Sequence, residues 1–232
     1  GGTFLSMTTN SSLIVDTLTL NTVQCSSQTS ICGISLDSTN SATITSYTVQ
    51  GMSALGTFGA LGLYSSKATI TSSSISYVST PSTGSCIMIM NSDLSVTSTT
   101  FTNLLGSCIY AQGGGNILKI ESSTFDQPDS TFVTKTPSGN PNQQKPFIEC
   151  EGYIDLTVFG SSFSNNYVSG NGGAVMINGA ANNPSVITIY QSTTFSGNTA
   201  VNKGGAISLT NTKGSISDSS FINNFAEQSG GA

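Results

Sequence analysis

The sequence predicts an all-β fold: a right-handed, single-stranded parallel β-helix (β-solenoid) of about 26 residues per coil and eight to nine coils. Three observations predict it. An apolar slot returns at Val23, Val49, Ile75, Phe101, Phe125, Phe163, Phe195 and Phe221, at intervals of 26, 26, 26, 24, 38, 32 and 26 residues. The residue before the slot is a hydroxyl every time: Thr22, Thr48, Ser74, Thr100, Thr124, Ser162, Thr194 and Ser220. Apolar residues alternate with polar ones on both sides of the slot, the period of a half-buried strand.

Each coil is read in the same order. Five residues before the slot stands Leu18, Ile44, Ile70, Val96, Ile120, Val158 or Ile216, with Ile189 six before Phe195. These form the strand that enters the slot. A second strand follows it, with alternating pairs such as Ile34/Leu36, Leu61/Leu63, Ile87/Ile89, Val175/Ile177 and Ile207/Leu209. Gly, Ser, Asn and Pro separate the strands, and no segment carries a convincing amphipathic helix. One coil cannot bury its own apolar face, so the coils must stack. At ~4.8 Å per coil the stack makes a rod of roughly 40 Å. Equivalent residues then form ladders: the slot residues inside, the hydroxyls at a corner, and Asn166, Asn198 and Asn224 over one another. The right hand follows from the crossover rule for parallel strands.

The whole of 1–232 is read as one β-helix domain. A Pro-rich excursion at about 126–146 interrupts it, around Asp126-Gln127-Pro128-Asp129 and Pro137-Ser138-Gly139-Asn140-Pro141. The chain opens on Gly1-Gly2-Thr3 and closes on Gly230-Gly231-Ala232, inside a repeat and without a polar cap. The expectation is therefore a stretch of a longer array, or a unit that abuts another.

Composition excludes several classes of function. There is no His and no Arg, which removes the commonest general base, the commonest metal ligand and bidentate anion clamps. Six Lys against eleven acidic residues give a net charge of −5, with no basic footprint for nucleic acid. Apolar runs are too short for a membrane span, and Gly1-Gly2-Thr3-Phe4 is no signal peptide. Ser and Thr together number 72 and charged residues are only 7%. The surface is thus hydroxyl and amide, which suits a stack in which like charges would repel at every step.

The C-terminal third carries a paired signature. Phe163-Ser164-Asn165-Asn166 precedes Gly172-Gly173-Ala174-Val175, Phe195-Ser196-Gly197-Asn198 precedes Gly204-Gly205-Ala206-Ile207, and Phe221-Ile222-Asn223-Asn224 precedes Gly230-Gly231-Ala232. This pairing resembles the polymorphic outer membrane protein repeat of chlamydial surface autotransporters. Similar arrays occur in large surface proteins of protists and environmental bacteria. The likeness covers about residues 155–232. Residues 1–125 keep the period without the motif, with Gly84-Ser85-Cys86-Ile87 as a degenerate echo. The resemblance implies a parallel β-helix passenger with an adhesin-like role at the cell surface.

Five cysteines are present. Cys25 and Cys32 bracket one loop, and Cys86 and Cys108 share a column in adjacent coils; both are candidate disulfides, in keeping with an oxidising compartment. Cys150 is read as buried and free. No Cys-x-x-Cys spacing supports zinc. Asp126, Asp129, Glu149 and Glu151 are weighed as a calcium cluster, against the absence of any calcium-loop spacing. If Ile87 and Ile89 point inward, then Tyr64, Met88, Met90, Tyr110 and Met176 form an outward apolar strip. That strip either docks a partner or lies under a folded-back loop.

The functional expectation is a non-enzymatic extracellular rod that presents loops and this strip, for adhesion or for assembly into a surface filament or layer. Protein partners or neighbouring copies are expected, and carbohydrate is open. No cofactor, metal, nucleic acid or direct membrane insertion is called for. The alternative is a carbohydrate-binding or pectate-lyase-like carbohydrate-active β-helix, which would gather acidic side chains in one groove. Ice binding is set aside because the hydroxyl column is placed at a corner rather than on a flat face. Asn10-Ser11-Ser12 is the single usable glycosylation sequon.

Overall fold

The computed structural model describes residues 4–9, 11–25, 31–38, 41–54, 58–80, 84–128 and 144–231. Most of the expected excursion lies outside the described residues. Among those described there is no helix, hence none long and apolar enough to cross a membrane. All named strands pair in parallel with strands one turn away, and the chain winds as a β-solenoid of about seven turns.

Each turn crosses three faces. Face A holds Leu5–Thr8, Ile34–Asp37, Phe58–Tyr64, Ser85–Met90, Val175–Asn178 and Ile207–Thr210. Face B holds Lys67–Thr71, Asp93–Thr97, Ser185–Tyr190 and Thr212–Ile216. Face C holds Ser74–Ser76, Thr100–Thr102, Thr124–Asp126, Ser162–Ser164, Thr193–Ser196 and Ser219–Ile222. Some strands run across a corner: Ser12–Asn21 and Ser41–Gln50 cover B and C, and Ser107–Glu121 and Ile148–Phe159 cover A and B. Short ladders beyond face C join Gln24–Cys25 with Ser53–Ala54, and Tyr167–Val168 with Thr199–Ala200 and Phe225–Ala226.

The slot is one continuous interior column. Val49 pairs with Ile75, Ile75 with Phe101, Phe101 with Phe125, then Phe163, Phe195 and Phe221. The five Phe rings lie nearly parallel, with centroids 4.7, 4.6, 4.9 and 4.9 Å apart. That separation is the strand spacing itself, ~4.7–4.9 Å. Identical rotamers on successive turns therefore place ring on ring, each contact worth about 0.5–1.5 kcal/mol beyond the area it buries. The entering strand stacks in the same way, through Val15, Ile44, Ile70, Val96, Ile120, Val158, Ile189 and Ile216.

The first copy of the slot is corrected. Leu20, not Val23, pairs with Val49; Thr19, not Thr22, pairs with Thr48; and Leu18 pairs with Tyr47. The first step is thus 29 residues, because this turn carries the Cys25–Cys32 loop. Val23 lies three residues on and packs only against the edge of the core. Eight slots stack, which makes about seven turns against the eight to nine coils expected.

The hydroxyl column before the slot is continuous, but it faces outward: Ser74, Thr100 and Ser220 are exposed and Thr124, Ser162 and Thr194 are half-buried. The buried ladder lies one residue earlier, at Ser73, Thr99, Ser123, Ser161 and Thr193. It follows a corner at which Ser72, Ser98, Ser122 and Gly160 adopt φ of 50°, 49°, 49° and 57°. After that corner the Thr99 N–H donates to Ser123 Oγ at 3.2 Å, and the Ser123 N–H to Ser161 Oγ at 3.1 Å. Each hydroxyl then donates to the carbonyl two residues back, Ser123 to Glu121 at 2.8 Å and Ser161 to Phe159 at 3.0 Å. Between faces A and B the same device recurs: the Ser66 N–H donates to Ser92 Oγ at 3.1 Å, and the Ser92 N–H to Asn116 Oδ1 at 3.2 Å. A buried N–H left without an acceptor costs about 1–3 kcal/mol, so these side chains carry the ladder round the corners.

Phe163 is fully buried with a ring on each side. Phe163→Ala is expected to cost about 3–5 kcal/mol, whereas Phe163→Leu keeps most of the volume but loses both ring contacts and should cost about 1–3 kcal/mol, less than the alanine. Urea unfolding midpoints of the two variants check this ordering.

Candidate functional site

The outward side of face A carries two columns. One runs Ser35, Gly62, Met88, Tyr110, Glu149, Met176, Ser208, and the other Asp37, Tyr64, Met90, Gln112, Glu151, Asn178, Thr210. The five strip residues therefore share one face. They do not make an open apolar surface. Met88 is only 2% exposed. Beside it a Cβ on Gly62 would run into the Ile31 side chain, which is itself buried. Ile31 is fixed by the adjoining disulfide between Cys25 and Cys32, whose Cα atoms are 5.8 Å apart. Gly62 leaves the space that Ile31 fills, so Ile31 lies over this end of the strip. Tyr64, Met90, Tyr110 and Met176 are half-buried.

Further along, the strip becomes polar. Tyr110 Oη donates to Glu151 at 2.8 Å. Burial first, then that hydrogen bond and the charge of Glu151, push the Tyr110 phenol well up. Burial and the nearby Asp37 raise the Tyr64 phenol. Glu149 is 5% exposed; it accepts from Ser107 Oγ and pairs with Lys145 Nζ at 3.0 Å. Lys145 is held in turn by its carbonyl, which accepts from Asn166 Nδ2 at 2.9 Å. Between this ion pair, Val168–Asn171 and Met176 lies a cleft of about 270 Å³. Sequence reasoning placed Glu149 in a calcium cluster and missed the cleft; the available signal was Lys145 four residues before a carboxylate inside an apolar strand.

The acidic residues do not gather for calcium. Asp126 accepts from Ser164 Oγ and Asn165 Nδ2, both at 2.8 Å, on another face. Asp129 lies outside the described residues. No group of three potential ligands converges among the described residues.

Cys86 and Cys108 do sit in adjacent rungs, between the register pairs Ser85/Ser107 and Ile87/Ile109, but as thiols. Ladder neighbours project in parallel at ~4.8 Å, wider than the ~3.8 Å between Cβ atoms that a disulfide favours. Cys150 is buried and free as well. Burial pushes the Cys86 and Cys150 thiols up to about 12 and the Cys108 thiol well above its usual range.

Asn166, Asn198 and Asn224 form a clip between turns. The Asn166 N–H donates to Asn198 Oδ1 at 3.3 Å, and the Asn198 N–H to Asn224 Oδ1 at 3.0 Å. In return Asn198 Nδ2 donates to the Phe163 carbonyl and Asn224 Nδ2 to the Phe195 carbonyl, each at 2.9 Å. The Gly-Gly pair closes the same turn. Gly204 has φ of 63°, which admits few side chains, and a Cβ on Gly205 would strike the carbonyl oxygens of Phe225 and Gly231 in the next turn. Ala174 and Ala206 then fill the interior with no exposed surface.

Phe, Asn and Gly-Gly-Ala are thus one stacking unit, and they recur in the two stretches that a known family describes. Residues 160–178 and 192–210 match the Chlamydia polymorphic membrane protein repeat. In the solenoid the two matched stretches lie directly over one another, Phe163 on Phe195 and Val175 on Ile207. No curated protein and no solved structure matches the chain.

Three outcomes are expected. Asn198→Ala removes the acceptor of a buried N–H and should cost about 1–3 kcal/mol in urea unfolding. The three free thiols should resist an aromatic disulfide reagent at pH 8 in the folded chain and react within minutes in denaturant. Their raised values also set a sign. From the ordinary thiol value of about 8.5 up to about 12, the unfolded chain releases thiol protons that the folded chain keeps. Stability should fall across that window as pH rises, less so when all three are Ser.

Proposed function

We propose that this chain is a non-enzymatic segment of a surface protein, a structural and adhesive rod that holds loops and the outward side of face A toward partners. The observation that supports it most is the use made of the matched repeat. Its Phe, Asn and Gly residues all go into turn-to-turn stacking, so the repeat supplies stiffness and spacing rather than chemistry. The family name, a membrane protein of Chlamydia, supports a position at the cell surface. Protein partners or neighbouring copies fit a long face that mixes Tyr, Met and carboxylates better than nucleic acid does, given the net charge of −5.

The carbohydrate-active alternative has one observation in its favour, Glu149 and Glu151 two residues apart on the same face. Hydrolysis needs one free carboxylic acid and one free carboxylate. Here Glu149 is tied to Ser107 and Lys145, and Glu151 accepts from Tyr110, an arrangement suited to holding a shape.

Beads coated with the chain should attach to cultured epithelial cells several-fold above albumin-coated beads, and no new reducing ends should appear in pectin, xylan or chitin incubated with it. Attachment at the albumin level removes the adhesive reading. Reducing ends that vanish in Glu149→Gln or Glu151→Gln would overturn the non-enzymatic one.

A further inference from the structure

The cleft between Lys145, Glu149 and Met176 is a concave site beside the face assigned above to partner contact, and its chemistry is specific. Its volume of about 270 Å³ is below the usual ~300–1,000 Å³ of drug-sized sites, so it suits one small ring. Glu149 and Lys145 neutralise each other at 3.0 Å, which favours an uncharged ligand. The pair nevertheless keeps unused capacity. Each carboxylate oxygen accepts one bond and has a second lone pair, and the ammonium has two further N–H groups. An acceptor and a donor 3.0 Å apart match neighbouring hydroxyls, each of which donates and accepts. Asn171 and Gln144 add amides to the lining, while Val168 and Met176 give it an apolar wall.

The site is also built in advance. Lys145 is anchored through the Asn166 bond to its carbonyl, and Glu149 by Ser107. The corner opposite is pinned by the Val201 N–H to the Val168 carbonyl at 2.9 Å and the Asn202 N–H to the Gly170 carbonyl at 3.0 Å. Little ordering remains to oppose binding.

We propose that this cleft binds a single uncharged pyranose, with adjacent hydroxyls bridging Glu149 and Lys145 and a C–H face against Met176 and Val168. The proposal rests on the adhesive reading and names its ligand class: a sugar unit of a glycan displayed on the opposing surface. Saturation-transfer NMR on the whole chain, with the methyl glycosides of glucose, galactose, mannose and N-acetylglucosamine, tests it. Transfer to at least one is expected, with a tenfold or greater loss of affinity in Glu149→Gln and in Met176→Lys, each shown folded by circular dichroism. Should Glu149→Gln not fold, Asn171→Ala takes its place. No transfer to any of the four, or undiminished binding by Met176→Lys, overturns the proposal. In parallel, bead attachment is measured on cells before and after enzymatic removal of surface glycans. Attachment that survives deglycosylation and Met176→Lys leaves the adhesive reading standing and sinks this one. Sugar binding without attachment does the reverse.

Discussion

In-register parallel stacking governs this molecule. A residue in a stacked strand has its equivalent one strand spacing away in the next turn, so its side chain is acceptable only if it tolerates that neighbour at ~4.8 Å. Phe meets the condition by ring stacking, aliphatics by packing, and Ser, Thr and Asn by hydrogen bonding. Charge meets it badly. Among the described register pairs no two like charges are neighbours, and the one pair in which both partners are charged, Lys67 with Asp93, forms a 2.8 Å ion pair. The scarcity of charged residues is thus a condition of the fold.

The corners explain the rest of the composition. Eighteen described non-glycine residues have positive φ, nearly all Ser, Thr, Asn or Asp. A left-handed residue costs roughly 1–2 kcal/mol, least for those whose short polar side chain bonds locally. After the turn the backbone N–H meets a side-chain oxygen from the neighbouring turn instead of a carbonyl. Many corners therefore need two polar residues in succession, one to turn and one to receive an N–H, as at Ser72-Ser73, Asn91-Ser92 and Ser122-Ser123. Repeated over about seven turns, that requirement accounts for much of a chain with 72 Ser and Thr.

The period was legible because a Phe is conspicuous and its neighbours repeat. It failed at Val23, where an apolar residue three positions beyond Leu20 preserved a 26-residue spacing while the real step had lengthened to 29. The hydroxyl column showed a related limit. Both the residue before the slot and the one before that are hydroxyls in several coils, as in Ser73-Ser74, Thr99-Thr100 and Ser161-Ser162. Composition cannot say which of the two is inside; the left-handed corner at Ser72 or Ser98 decides it. The outward parity of Met88 was readable, but its burial was not, since Ile31, which fills the space beside its register neighbour Gly62, comes from the turn with the 29-residue step. Lys145 and Glu149 meet within the one 38-residue step, a contact no periodic pattern reports.

The step lengths locate where such non-repeating contacts arise. Turns of 24 to 26 residues are filled by strands and corners, and every residue answers to its copy above or below. The 38-residue step from Phe125 to Phe163 and the 32-residue step from Phe163 to Phe195 exceed these regular turns. At the longer of them Lys145 lies against the buried carboxylate of Glu149 at 3.0 Å, an arrangement that the next turn does not repeat. The register neighbours of Glu149 are Tyr110 and Met176, neither of which could be a carboxylate without repulsion. In a solenoid, then, a site of its own is expected at an irregular step, and the regularly stacked turns beside it supply the rigid frame that fixes it.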